Sequence, residues 1–295
     1  MRLLADDGVH VVAPYLTDLE RDPSLPAEAA MLDVEDPVAT AAAMAGCGAV
    51  VHLAARSGGI QFQGADDADV YATNRRLTES VLAAASQAGV GRVFLASSAV
   101  IYRNSDEPLV ESDPLLTPAD RPTGYAWSKL ADEVAAAWWS GGGGETVIGR
   151  FSNVYGPGAS FDPARSTVVH ALVRRAVESV GVGPLTVWGD GTAVRSFVHA
   201  EDTARAVVTI LAKGEPGGIY NVDSGIAVSI RALAELVAER VDPALALAFD
   251  ASKAGGQPVR VLDVTRLRAI GFEPEVELAD GIAGVVEAFR ASQQA

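Results

Sequence analysis

Short apolar runs rich in β-branched residues alternate along the first half of the chain with longer stretches at helical spacing. Residues 9–13 (VHVVA), 49–53 (AVVHL), 92–97 (RVFLAS) and 145–150 (ETVIGR) predict strands, and a further short strand is expected to end near Met31–Asp33. Asp36 followed by Pro37 is an N-cap and first-turn pair, opening an Ala-rich helix to about Ala45. A long helix is predicted over 67–88, with Gly89 as its C′ residue. Another follows over 124–139 and ends at the glycine run Gly141–Gly144. Residues 2–8 read as the end of a helix, and 14–30, 56–66 and the Pro-rich stretch to Pro122 read as loops. Strands that are apolar throughout, alternating with helices, predict a parallel sheet covered on both faces. Beyond Phe151 the alternation loosens. Helices near 164–180, 201–212, 229–240 and 279–291, and strands near 185–188 and 219–222, suggest a smaller lobe.

Composition narrows the partners. The chain has 295 residues, 49% hydrophobic and 21% charged, which is the balance of a folded globular protein. Lys and Arg total 23 against 38 Asp and Glu, so the net charge is 23 − 38 = −15. That excess of negative charge argues against nucleic acid or an anionic membrane as the main partner, while a few local arginines still allow a small anionic ligand. A single cysteine, Cys47, excludes a disulfide framework and is read as buried filler. Four scattered histidines with no HxxxH spacing argue against a His-built metal site, and His52, within an apolar strand, reads as a packed core residue. The apolar runs are too short for a membrane span, and Asp6 and Asp7 spoil a signal peptide. The expectation is a cytoplasmic α/β protein.

Chemistry concentrates at strand ends. Tyr125 and Lys129 are four apart on a predicted helix and share a face. An ammonium there would stabilise the phenolate and lower the tyrosine pKa, making Tyr125 an acid/base for a carbinol or carbonyl. Alone this spacing is common, and a surface Tyr and Lys would explain it equally well. Ser97 and Ser98 close a predicted strand upstream, where ligands bind in parallel α/β sheets. A strand-end serine followed by this Tyr–Lys pair is far more specific. Arg195, after the Trp188-Gly189-Asp190-Gly191 turn, is placed to face a diphosphate, and Arg260 is a second candidate. A solvated salt bridge is the plain alternative for both.

Together the motifs carry a resemblance: HLAA (52–55), Asn74 in YATNRRLTESVLAAA, ASSAVIY (96–102), YAWSK (125–129), RFSNVYGPG (150–158), WGDG with RSFVH, and YNVDSG (220–225). The chain resembles the extended short-chain dehydrogenase/reductases of the NAD-dependent nucleotide-sugar epimerase/dehydratase type, over nearly its whole length. RFSNVYGP and WGDGTAVRSF are most similar to the GDP-mannose 3,5-epimerase branch. The resemblance implies a Rossmann-like doubly wound parallel sheet, with residues 1–155 binding dinucleotide and 156–295 forming mainly a substrate lobe whose segments return to the sheet. It implies Tyr125 as acid/base, Lys129 on the nicotinamide ribose, and Ser98 on the sugar. Asp33 and Val34 would meet adenine. Leu53, Ala54, Ala55, Ala96 and Phe151 would line the cofactor, with Asn74 supporting the site. Gly59, Asn153, Arg195 and Arg260 would lie on the nucleotide-sugar side. The implied cofactor is NAD, with NADP open, since neither a ribose-binding acid (Asp18 is a late substitute near Tyr15) nor an Arg pair stands after the first strand. A nucleoside-diphosphate sugar is the implied substrate. The Ala-rich faces of 67–88 and 124–139 suit a homodimer, or burial against the sheet, and Trp138 and Trp139 suit packing or a subunit contact.

The chain also departs from the family. The opening strand and its Gly-rich turn, which place backbone N–H groups on the pyrophosphate, are not seen before 2–8. Either the family's opening lies ~25 residues upstream of this start, or the chain is a catalytically inactive nucleotide-binding relative. The intact remaining motifs favour the former. The dehydratases' Asp-Glu positions hold Ala99 and Val100, and the 3,5-epimerase's Cys and Lys are replaced by Val100 and by ASFDPAR (159–165). Ser98, Tyr125 and Lys129 are what is left, enough for hydride transfer at a ring carbinol, as in a 4-epimerase or ketoreductase.

Overall fold

A computed structural model describes residues 1–15, 28–57, 67–163, 165–253 and 258–294. The chain opens with α1 (Arg2–Asp6), β1 (Val12–Tyr15), β2 (Glu28–Met31), α2 (Pro37–Ala43), β3 (Ala49–His52), α3 (Asp67–Ala88), β4 (Arg92–Ser98), α4 (Gly124–Gly141), β5 (Glu145–Phe151) and β6 (Asn153–Tyr155). It continues with α5 (Val168–Ser179), β7 (Leu185–Trp188), β8 (Val194–His199), α6 (Ala200–Lys213), β9 (Ile219–Val222), β10 (Ala227–Ser229), α7 (Ile230–Val241), β11 (Leu247–Asp250), β12 (Val259–Arg260), α8 (Thr265–Ala269) and α9 (Leu278–Ser292).

The main sheet is parallel, in the order β3-β4-β5-β9. Period-2 alternation sends its side chains to two covers. Phe94, Val147, Tyr220 and Val222 pack with Ala206, Val207 and Ile210 of α6 on one face. Leu95 and Ile148 meet Ala136 of α4 on the other, and Val93 meets Leu82 and Ala85 of α3. This is the expected doubly wound arrangement. β1 and β2 form a separate parallel pair among the described residues. Around β8, strands β10, β12 and β6 gather into a second sheet, β7 pairs with β11, and α5, α7 and α9 enclose the largest core cluster.

The predicted helices at 67–88 and 124–139 form, the second running on to Gly141. Asp36 caps α2 by accepting from the backbone N–H groups of Val38 and Ala39. The second strand ends at Met31, as expected, whereas the first lies at 12–15, a few residues later than the apolar run 9–13 predicts, because its pairing begins at Val12↔Glu28. Cys47 is half-buried, not buried.

Candidate active site

The site is built where β4 ends. Ser98 is its last residue, and its Oγ accepts from the Val100 N–H to start a tight turn over Ala99–Ile101. Thr123 caps α4 by accepting from the Ala126 N–H, and the Gly124 N–H donates to the Asp67 carboxylate of α3 at 3.0 Å. A side chain at 124 would run into the Asp67 carbonyl, so only glycine lets the two helices approach here. Tyr125 follows at once, and its hydroxyl pairs with the Ser98 side chain.

Lys129, one turn on, is buried. Its Nζ lies 5.9 Å from the Tyr125 ring centre, donates to the Ala96 carbonyl at 2.9 Å, and meets the Asp132 carboxylate at 3.4 Å. The expectation that an ammonium lowers the tyrosine pKa is corrected: burial dominates and raises it, the Ser98 hydrogen bond opposes the rise, and Asp132 adds to it. Burial likewise lowers Lys129, with Asp132 resisting.

Asn74 is the brace of the site. Its Oδ1 accepts from the Arg56 N–H at 2.6 Å, and its Nδ2 donates to the Arg56 carbonyl and to Ser128 Oγ, each at 3.1 Å. One buried amide thus ties the segment after β3 to the helix of Tyr125. His52 is buried beside it, paired with Thr78 Oγ1 at 3.1 Å, and desolvation followed by the nearby Lys129 charge pulls its pKa to about 3. It is a neutral core residue, as expected.

At the carboxyl end of β3, Leu53 is 56% exposed, Ala54 is exposed and Ala55 half-buried, an open apolar ledge level with the Tyr125–Ser98 pair. Asp33 is exposed just beyond β2, with Oδ1 accepting from the Glu35 N–H, and Val34 is half-buried next to it. Ala96 meets Lys129 through its carbonyl. Phe151, half-buried at the end of β5, stacks on Phe94 at 6.1 Å and packs against the α6 core. Gly59 and Asp18 lie outside the described residues.

On the opposite wall Asn153 donates to the Ser196 carbonyl at 2.9 Å, securing β6 against β8. Arg195 and Arg260 are direct partners in the β8–β12 register. Arg260 also donates to the Ala99 carbonyl at 3.2 Å, next to Ser98. Desolvation, then the Arg195 charge, brings Arg260 down to about 10. Two guanidiniums forced together at the rim of an acidic protein favour an anion between them.

Beneath the site lies an ion pair that the sequence analysis does not name. Arg150 makes a bidentate pair with Glu133 of α4 (2.9 and 2.8 Å) and donates to the Tyr102 hydroxyl at 2.8 Å, and Tyr102 donates to Asn221. Glu133, four residues after Lys129, was the one available signal. Among the described residues no cluster of metal-ligating side chains occurs, and no helix is long and apolar enough to cross a membrane.

The chain is 37% identical over 240 residues to a putative GDP-L-fucose synthase 2 of Oryza sativa subsp. japonica, covering 79% of this chain and 69% of that one. It is 32% identical over 245 residues to dTDP-4-dehydro-6-deoxy-D-allose reductase of Streptomyces bikiniensis (82% and 74% covered). A UDP-glucose 4-epimerase of Thermus thermophilus, solved with NAD, superposes with a TM-score of 0.81 at 25% identity, over 98% of this chain and 94% of that one. The family model for NAD dependent epimerase/dehydratases matches residues 1–223. With that match and these relatives, the chain belongs to the NAD-dependent epimerase/dehydratase family.

Proposed function

We propose that this chain moves hydride at a ring carbinol or ketone of a nucleoside-diphosphate sugar, as a ketoreductase or a 4-epimerase. The observation that carries the reading is the Tyr125–Ser98 hydroxyl pair at the end of β4, with the Lys129 ammonium one helical turn away. The residues fit a nicotinamide dinucleotide. The Leu53–Ala55 ledge suits a flat ring, and a lysine ammonium has three protons, of which Ala96 and Asp132 take two, so a ribose hydroxyl can accept the third. Asp33 suits adenine. When bound, NAD(H) or NADP(H) takes up or supplies the hydride.

The protein's own part is proton handling and orientation. Tyr125 donates a proton to the sugar oxygen during reduction, or takes it during oxidation, with its hydroxyl held by Ser98. Arg195 and Arg260 hold the diphosphate, and Asn153 lines the same wall. Ala99 and Val100 offer no acid or base for elimination or for proton abstraction at carbon. The relatives named as a reductase and a fucose synthase point the same way. Residues 1–155 then form the cofactor half and 156–295 mainly the substrate lobe. Exposed Tyr71, Val134 and Trp138 on α3 and α4 suit a homodimer contact, which sedimentation tests.

The test offers purified protein a 4-keto or 4-hydroxy nucleoside-diphosphate sugar with reduced or oxidised cofactor. Stoichiometric NAD(P)H consumption identifies a reductase. Turnover on cofactor retained through gel filtration identifies an epimerase. Tyr125→Phe should abolish turnover while leaving ligand binding, by calorimetry, intact. Unchanged turnover would refute the assignment, and absence of binding by the parent protein would favour the inactive relative.

A further inference from the structure

Beneath the Tyr125–Lys129 pair lies a second charge that the proton-transfer reading does not use. Asp132 is 0% exposed and sits one turn after Lys129 on the same helix. A carboxylate with no contact to water is costly unless its partners are well placed. Here they come from two elements. Lys129 Nζ is at 3.4 Å, Arg75 Nη1 of α3 donates at 3.4 Å, and the Thr78 hydroxyl of α3 also bonds the carboxylate. Thr78 in turn meets the neutral His52 at the end of β3. Arg75 is itself shared with Glu79, and Glu133 is the other carboxylate acting on Lys129. The charged groups around Lys129 are therefore Asp132 and Glu133 from α4 and Arg75 from α3, with Ala96 of β4 supplying a carbonyl.

We propose that Asp132 is a positioning residue for Lys129, holding the ammonium against the Ala96 carbonyl and keeping it charged in a site that excludes water. The inference rests on Tyr125 and Lys129 being the proton-transfer pair. A buried lysine with no anion beside it sheds its proton. A neutral amine would neither steady a phenolate nor stay fixed between two acceptors. The sign of the effect does not depend on which member of the pair ionises first. Removing a neighbouring anion makes the first proton easier to lose from either the phenol or the ammonium. In the reducing direction the pair must hold both protons, so the alkaline limb of the rate profile moves to lower pH.

The test needs no cofactor for its first arm. The chain has three lysines (Lys129, Lys213 and Lys253), so the Cε resonance of Lys129 can be assigned and titrated by NMR in selectively labelled protein. Asp132→Asn keeps the shape and removes the charge, and it should lower the Lys129 midpoint by about one pH unit or more. Arg75→Met removes a cation from the other side of Asp132 and should move the midpoint the opposite way. It also serves if the asparagine variant does not fold. In the second arm the alkaline limb of kcat/KM shifts down in Asp132→Asn by a similar amount. Superimposable titrations in parent and both variants would overturn the proposal, as would a drop in kcat with no movement of the limb, which is what a merely structural residue gives. The two readings fail separately. Turnover surviving in Tyr125→Phe sinks the proton-transfer reading, whereas an inactive Tyr125→Phe beside an unshifted Asp132→Asn sinks this one alone.

Discussion

Asp223 makes a sharp test of the electrostatics at the joint between the two sheets. It follows β9 directly and has no exposed surface. Its carboxylate accepts from the Ser196 hydroxyl of β8, from the Ser224 N–H at 2.6 Å and from the Leu262 N–H at 3.4 Å. Those donors favour the charged form, yet burial outweighs them and lifts the pKa from the usual 3.8 to about 6. A displacement from 3.8 to about 6 is worth about 3 kcal/mol at ~1.36 kcal/mol per pH unit. The unfolded chain releases this proton near 3.8 while the folded protein keeps it until about 6. Stability contributed by this group therefore falls as pH rises through that window and levels off above it. Asp223→Asn carries an uncharged amide throughout. Urea unfolding of parent and variant at a series of pH values gives the difference curve, in which other carboxylates cancel. The parent should lose about 3 kcal/mol relative to the variant between about pH 4 and about pH 7. A flat difference, or one that rises with pH, would refute the claim that desolvation governs this group.

Two further outcomes follow from contacts near the site. Glu133→Ala leaves the Arg150 guanidinium buried without its carboxylate, so urea unfolding should show a loss of about 3–5 kcal/mol, and a loss below about 1 kcal/mol would mean water reaches the pair. Gly124→Ala pushes the first turn of α4 off the Asp67 carbonyl and displaces Tyr125, so kcat should fall by about 100-fold with a much smaller change in KM, and unchanged kcat in a folded variant would show that the turn adjusts freely.

The helices and central strands were legible because their signals are local. Asp36-Pro37, Gly89 and Gly141–Gly144 mark ends that depend on backbone chemistry alone, and the middles of the runs at 92–97 (VFL) and 145–150 (VI) are apolar toward both faces. The outer pieces were not. β8 (VRSFVH) mixes charged and apolar residues because its two sides meet different neighbours, and β6, β10 and β12 are too short to show a period. In the site, Tyr125, Lys129 and Ser98 came from a motif, and the structure brings them together. The cross-strand meeting of Arg195 with Arg260 depends on a register 65 positions apart in sequence, which no local pattern encodes. The direction of the Tyr125 pKa was missed for a related reason. Spacing along one helix reveals the ammonium but not the solvent it has lost.

The path of the backbone through the main sheet has a further consequence. β5 ends at Phe151, the chain visits the second sheet through β6 and β8, and only then does β9 return to lie beside β5. Neither half is a portable module. A fragment severed after residue 155 would present β5 as a raw hydrophobic border and would invite pairing with its own kind. Recombination between relatives should accordingly tolerate exchange of surface loops far better than exchange of whole halves, since the chain leaves the main sheet and comes back to it, so the seam is not stitched at one point.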